Sequence, residues 1–429
     1  MKMNTLAKSL TAIALTSIAT TSMAANSIAE NTGKKLTGIS DTVYSALTGK
    51  KVQNIEVNHP VSLYDYKEAS SEYEDAYING TLNIADSEST HTNYNLDLGL
   101  DYEKVMSSPN ANTSYNAKLN GSVSDSGEED SERNETYNGA ASVTYDRYFN
   151  PTVNDAFWYG KGDIRIQDKS TDANGNDYAG IKNPEVKIGG GLGYGRVVNV
   201  TPMAHAMRLV EALVENGSIR QVPSAATYNK VAAIIAKKEE YKHKFGERYA
   251  QNWVSDIANA LGARLDANGV IRAYEVLENE SISTRKYGWN VRGGVGVVAN
   301  NFAGESGNPF AELQANYYHP ISNKTQFSNE AKMTFELDDD DDSYVFNNDM
   351  GLTYELSDRV DWENKWNLNY QNNENSADVT RNALSSSFLY DINNSLKYET
   401  KLTYSRVDTE DADATYDKGL FMGVKYRLK

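Results

Sequence analysis

Along most of the chain, polar and apolar residues take turns. Leu420, Met422, Val424, Tyr426 and Leu428 alternate with Phe421, Gly423, Lys425, Arg427 and Lys429. A period of two belongs to an extended strand with unlike faces, not to a helix. Val360, Trp362, Trp366, Leu368 and Tyr370 share one face of the next clearest segment, opposite Asp361, Glu363, Lys365, Asn367, Asn369 and Gln371. Tyr94, Leu96, Leu98, Leu100 and Tyr102 repeat the pattern upstream. Fourteen such segments are predicted, near 76–84, 92–102, 114–123, 137–147, 156–166, 185–198, 285–298, 309–318, 325–337, 344–356, 360–370, 380–390, 395–406 and 417–428. All eight prolines lie outside them or at a first residue, where no ladder hydrogen bond is lost.

Segments of about ten residues, with aromatics toward their ends as at Tyr94/Tyr102 and Tyr344/Tyr354, have the length and girdles of tilted membrane-crossing strands. A sandwich of soluble sheets needs neither this length nor this number of strands. The expected fold is an all-β transmembrane antiparallel barrel of about 14 strands. With both termini on one side, connections after odd segments face the other side. Those loops (85–91, 124–136, 167–183, 299–308, 338–343, 371–379 and 408–415) together carry a net charge of −20.

One connection has another period. Thr201-Pro202 reads as a helix cap followed by proline in the first turn. Met203, Met207, Val210 and Val214 then recur at helical spacing, followed by Tyr228, Val231, Ile234, Ile235 and Tyr241, and by Tyr249, Trp253, Ile257 and Leu261. A small helical insertion is therefore expected over 201–280, between the sixth and seventh strands and on the side of the short turns. It divides the barrel into halves at 73–200 and 281–429. On the flanking strands Gly189, Gly191, Gly193, Gly195, Gly294 and Gly296 take the lumen-facing positions. Glycine rows admit a close backbone or a sharp bend, so these positions are expected to contact a plug or to serve curvature.

The first 24 residues join basic Lys2 and Lys8 to a short apolar stretch and a small-x-small site at Ser22-Met23-Ala24, the form of a secretory signal peptide. Residues 25–72 are read as a periplasmic extension or a plug. Composition narrows the rest. With 42 basic against 59 acidic residues, the formal net charge is −17, becoming −19 once Lys2 and Lys8 are removed. The outward loops thus account for the whole excess. No nucleic acid is expected as a partner, since phosphates require clustered Lys and Arg. No cysteine is present, which excludes disulfides, thiol catalysis and thiolate metal sites.

Candidate chemistry is sparse. His59, His91, His205, His243 and His319 show no zinc-helix spacing. His91, placed in an outer loop, is the one histidine positioned for rim catalysis, and a solvated loop residue is its plainer reading. The carboxylate run Asp338–Asp342 is likewise read as a solvated loop rather than a cation site. Asp172, Asn174 and Asn176 have calcium-loop spacing, but Asp177 stands where such a loop needs glycine. No enzyme, catalytic residue, metal or cofactor is expected. The lumen face carries the information: its named residues are Lys161, Arg165, Lys187, Lys286, Arg292, Asp361, Glu363, Lys365, Lys397, Lys401, Lys425 and Arg427. Over the whole inward face, twelve bases (these ten with Lys118 and Lys332) stand against eleven acids (these two with Asp97, Asp101, Asp163, Glu312, Glu330, Glu336, Asp349, Glu355 and Glu399), a near balance that suits a wet passage for small polar solutes better than a pore for ions of one sign.

The leader, the alternating strands and the ending Tyr426-Arg427-Leu428-Lys429 resemble Gram-negative outer-membrane β-barrels over 76–200 and 280–429. Tyr426-x-Leu428 matches the aromatic-x-apolar ending of that group, although a lysine follows and the terminal aromatic is missing. The resemblance implies a cell outer-membrane location, contact with membrane lipid and lipopolysaccharide, and insertion by the barrel-assembly machinery. A porin-like channel for small hydrophilic solutes is the expected function. The alternative is a non-conducting receptor or scaffold whose helical insert binds a periplasmic partner. Fourteen strands with an N-terminal extension also look like the long-chain fatty-acid transporters, whose pattern lacks the helical insert.

Overall fold

A computed structural model describes residue 57 and residues 59–428, apart from 88–89, 126–133, 151–154, 170–182, 263, 280–281, 303, 338–342, 358, 373–376, 394 and 411, with backbone alone over 82–93 and at 169. The leader at 1–24, residues 25–56, the acidic run at 338–342 and the spacing at 172–176 lie outside the described residues.

Fourteen antiparallel strands close into one barrel, each paired to its neighbours in sequence and the first to the last. They are β1 (Ser71–Ser87), β2 (Thr90–Ser107), β3 (Ala111–Asp125), β4 (Asn134–Tyr148), β5 (Ala156–Lys169), β6 (Glu185–Asn199) and β7 (Lys286–Asn300). The circuit continues through β8 (Asn308–Ser322), β9 (Thr325–Glu336), β10 (Tyr344–Ser357), β11 (Val360–Asn372), β12 (Val379–Asn393), β13 (Leu396–Thr409) and β14 (Thr415–Arg427). Strand number and order match the alternation. Strand length does not: β9 has 12 residues and β2 has 18. Backbone pairing runs on past the apolar band into both rims, where no lipid imposes a period.

One loop is corrected by this extension. β1 and β2 stay paired from Ser71↔Ser107 to Ser87↔Thr90, so residues 85–87 and 90–91 of the expected outer loop 85–91 are strand and His91 lies in β2. The asymmetry holds for most of the rest, with short turns after four even strands (108–110, 323–324, 358–359, 394–395) and longer connections after most odd ones, while the connection after β4, 149–155, is as long as the odd-strand loops 301–307 and 337–343. These two rims are called the turn end and the loop end below.

Hydrogen bonds across the barrel show which face is inward. Lys161 on β5 meets Glu312 on β8, and Arg292 on β7 meets Asp146 on β4. Strands three apart can touch only through the interior. The opposite parity is apolar and bare: Val295 is 66%, Leu192 63% and Leu420 61% exposed. A surface of that kind is stable where the surrounding medium is hydrocarbon.

The main apolar core is not in the barrel wall, where a small buried cluster joins Tyr148, Phe157 and Tyr159. That core lies in the insert, made of α1 (Thr201–Glu215), α2 (Ala225–Ile235), α3 (Lys238–Phe245), α4 (Tyr249–Leu261) and α5 (Ala267–Tyr274). Two expectations change here. Val200, not Thr201, takes the cap position of α1, and Asn199 before it supplies the side-chain acceptor: its Oδ1 accepts from both the Thr201 amide and its hydroxyl. The helix expected after Pro223 is two, divided at Ala236-Lys237. Met203, Leu209, Leu213, Val231, Trp253 and Ile257 are almost wholly buried together, and Trp253 donates its indole hydrogen to the Ile234 carbonyl at 2.9 Å.

Candidate functional site

The interior begins with charge. Glu312 accepts from Lys161 at 2.9 Å and from Lys332 of β9 at 2.8 Å, while Arg292 reaches Asp146 at 2.6 Å and lies over the Phe157 and Tyr159 rings. These bridges join β4, β5, β7, β8 and β9 across one side of the lumen. Arg165 and Lys187 both approach Glu185, at 3.4 and 3.6 Å. Beside them a cavity of about 560 Å³ opens against β1–β6, lined by Asp101, Glu103, Lys118, Asp163, Arg165 and Lys187 among others.

The remaining residues named from sequence share the inward parity but not one site. Lys365 pairs with Glu363 at 3.0 Å, Lys397 with Asp391 at 3.1 Å, Lys425 with Glu399 at 2.8 Å, and Arg427 with Asp75. Lys286 lies over the Tyr318 ring, 5.3 Å from its centre. Lys401 stands opposite Ser387, and Asp361 is buried opposite Glu355. Asp75, Glu103 and Asp391 escaped the sequence reading because they lie beyond the apolar alternation that marked segment ends.

Among the described residues, the glycine wall is met by the barrel's own strands. A side chain at Gly193 would strike the Phe157 ring, and one at Gly296 the Phe310 ring. At Gly191 and Gly294 the nearest atoms include the carbonyls of Gly293 and Gly190, backbone of the adjacent strand. Gly195 has φ +98°, a conformation that L side chains rarely adopt. Aromatic rings from the flanking strands thus fold over the glycines, and β6 and β7 approach too closely for a Cβ.

The plug lies at the turn end. The amide of Val200 donates to the Arg285 carbonyl at 2.8 Å, pinning the two feet of the insert together between β6 and β7. From there α1 crosses the opening. Arg208, two turns along it, donates to Glu355 Oε2 on β10. Arg285 Nη2 and the Ser283 amide donate to Glu355 Oε1 at 2.7 and 2.9 Å, and Arg285 also donates to the Asn323 carbonyl in the β8–β9 turn at 3.1 Å. Glu355 and Arg285 are essentially inaccessible to solvent. On the far side α3 touches β1. The three attachments, at β6/β7, β10 and β1, are three to five strands apart around the ring, so the bundle spans the mouth instead of hanging from one edge. Burial of α1 on nearly every side agrees.

A strap from the chain before β1 fastens the bundle. Val61, Leu63 and Tyr66 enter its core. His59 bonds Glu211 through Nε2 and the Tyr228 hydroxyl through Nδ1, both at 2.7 Å. A carboxylate cannot donate, so Nε2 carries the hydrogen toward Glu211. Tyr64 donates to the Pro320 carbonyl at 3.1 Å and contacts His319 Nδ1 at 2.9 Å. Glu68 accepts from Arg196 of β6 at 2.6 Å. Inside the bundle His205 is held neutral: burial, then Arg208, Lys238 and Arg427, push its imidazole down to about 3, and its Nδ1 has no partner among the described residues. Sequence placed His205 on a helix, but these neighbours come from three elements.

Comparison with known proteins adds little beyond the architecture. A family model described as a protein of unknown function, DUF481, matches residues 279–392, from the end of the insert through β12. No curated protein matches the chain. Among solved structures it is similar to the β domain of the Bordetella autotransporter BrkA (5% identity, 84% of this chain and 100% of that one, TM-score 0.29). It is also similar to the outer membrane channel DcaP of Acinetobacter baumannii (9%, 84% and 98%, TM-score 0.32). A deletion mutant of the TodX monoaromatic hydrocarbon channel aligns at 8% identity over 88% and 94%, with a TM-score of 0.34.

Proposed function

We propose that the chain is an outer-membrane channel for small hydrophilic solutes, closed at rest by its helical insert. One observation carries the reading: a wide barrel with a charged inner wall has its turn-end mouth crossed by a bundle attached on three sides. Fourteen strands enclose more space than their own side chains fill, since eight already suffice for a filled interior. Inward acids and bases alternate around the remaining space and offer hydrogen bonds and a transverse field to polar solutes, with no selection for one sign of charge. The cap is fastened by ion pairs and hydrogen bonds rather than by continuous strand pairing, which makes it the part of the lumen able to move. In this reading the turn end faces the periplasm, the apolar belt contacts membrane lipid, and the loop end meets lipopolysaccharide. The barrel-assembly machinery inserts the chain.

The test is single-channel recording in planar bilayers. Intact protein is compared with a variant in which a short Gly/Ser linker replaces residues 203–279. Stepwise conductance that is rare in the intact chain and larger and more frequent in the variant is the expected result. A folded variant that never conducts removes the channel reading and leaves a non-conducting barrel whose insert serves a periplasmic partner.

A further inference from the structure

The outward face of the barrel is not uniform. From β2 to β8, the mid-strand outward positions, bracketed by aromatic residues at both ends on β2 and β4 and at one end on the others, hold only glycine, alanine, valine, leucine and isoleucine. Leu96, Leu98 and Leu100 of β2 and Ala311, Leu313 and Ala315 of β8 are typical. Across β9–β12 each strand breaks that rule with one asparagine, and β12 also with Ser386, of the same parity. Asn329 follows Phe327 on β9, and Asn348 lies between Phe346 and Tyr354 on β10. Asn364 lies between Trp362 and Trp366 on β11, and Asn382 precedes Phe388 on β12.

Their outward direction follows from register. Asn329 stands opposite Met350, Asn364 opposite Leu352, and Asn348 and Asn382 flank Leu368 from either side. Phe388 and Tyr390, of the same parity as Asn382, are among the exposed large side chains. None of the four amide side chains has a hydrogen-bond partner among the described residues. Their neighbour Trp362 shows the contrast, donating to Ser386 Oγ at 2.9 Å. In hydrocarbon an unpartnered amide is expensive, because no water replaces the missing bond. Four on adjacent strands, and none on the seven strands before them, mark a face that is not meant for lipid.

We infer that the β9–β12 face is where two copies of this chain meet in the membrane, like face against like. An asparagine carries donor and acceptor together, so this surface complements itself, as an isologous contact requires. Copies inserted in the same direction carry their amides at the same depths. Four strands about 4.8 Å apart under an apolar band about 25 Å tall offer roughly 500 Å² on each copy, about 1,000 Å² in all, which is the size at which a biological interface begins. The inference rests on the membrane location proposed above.

The chain has no cysteine, so single substitutions report cleanly. Asn348→Cys and Asn364→Cys, on the two central strands, are compared with Leu192→Cys and Val295→Cys on β6 and β7, three to five strands away around the ring. Each is treated in isolated native membranes with a membrane-permeant bis-maleimide, after fractionation confirms that the protein is there. A product of twice the chain mass at Asn348→Cys or Asn364→Cys, absent from both controls, is expected. The double variant Asn348→Leu/Asn364→Leu should then run as a folded monomer by native mass measurement, where the unaltered chain is dimeric. A membrane-resident protein giving no dimer, equal dimer at the controls, or only an adduct of another mass overturns the inference. Absence from the membrane fraction overturns the location proposed above instead.

Discussion

Replacing Glu355 by glutamine tests the cap most directly. The carboxylate accepts from Arg208 and Arg285 and from the Ser283 amide, in a setting closed to solvent. Glutamine keeps the volume and one carbonyl acceptor, so no cavity forms. It removes the charge that two buried guanidiniums share. Deleting one partner of a buried ion pair costs about 3–5 kcal/mol, most of it the cost of the charge left behind. Arg285 retains carbonyl acceptors at Ser283 and Asn323 (3.0 and 3.1 Å), which argues for the lower figure, about 3 kcal/mol. At about 1.4 kcal/mol per tenfold, the closed-to-open ratio of the cap should fall by roughly a hundredfold.

Limited trypsin digestion reads that ratio when opening is fast relative to cleavage, because buried sites are cut only in the open form. Arg208 is buried and cleavage there should accelerate in Glu355→Gln, while Arg220 is already exposed and serves as the internal reference. Open events in bilayers should rise in parallel. Glu363→Gln is the control, since Glu363 pairs with Lys365 on the same strand and should leave the cap unchanged. Cleavage at Arg208 and open probability both at the unaltered level, in a folded Glu355→Gln barrel, would refute the cap's attachment at β10.

Acid should also loosen the bundle. The folded state holds His205 neutral down to about 3, whereas the unfolded ring titrates near 6.5. Between these values the unfolded form binds the extra proton, so His205's share of stability is complete above about pH 6.5 and falls by about 1.4 kcal/mol per unit as pH drops toward 3. Trp253 fluorescence against pH measures the loosening, and a His205→Gln variant as acid-sensitive as the parent would refute the assignment. Gly191→Ala concerns the wall: its Cβ would collide with the Gly293 carbonyl. The expected outcome is a lower thermal unfolding temperature of the barrel with unchanged conductance, and an increase in conductance would restore a plug to that wall.

Local pattern determined the greater part of this fold. Period-two alternation specifies both that Leu420 to Leu428 form a strand and which of its residues face out, because a one-residue slip would turn every charge toward lipid. The switch to helical spacing after Thr201 marks the insert for the same reason. Strand ends were less legible, since alternation fades where neither face meets hydrocarbon; Asp75 and the strand residues 85–87 and 90–91 were lost there. Parity could place Glu355 and Arg292 inside but could not say what each would meet. Arg208 and Glu355 are 147 residues apart, and Lys161 and Glu312 are 151 apart. Their meeting depends on closure of the ring, which sets strands opposite one another, and on the path of α1 across the mouth. The Phe157 and Phe310 rings over the glycine wall have the same origin. A residue's face is a property of its own backbone, whereas its partner across a lumen is a property of the whole closed surface.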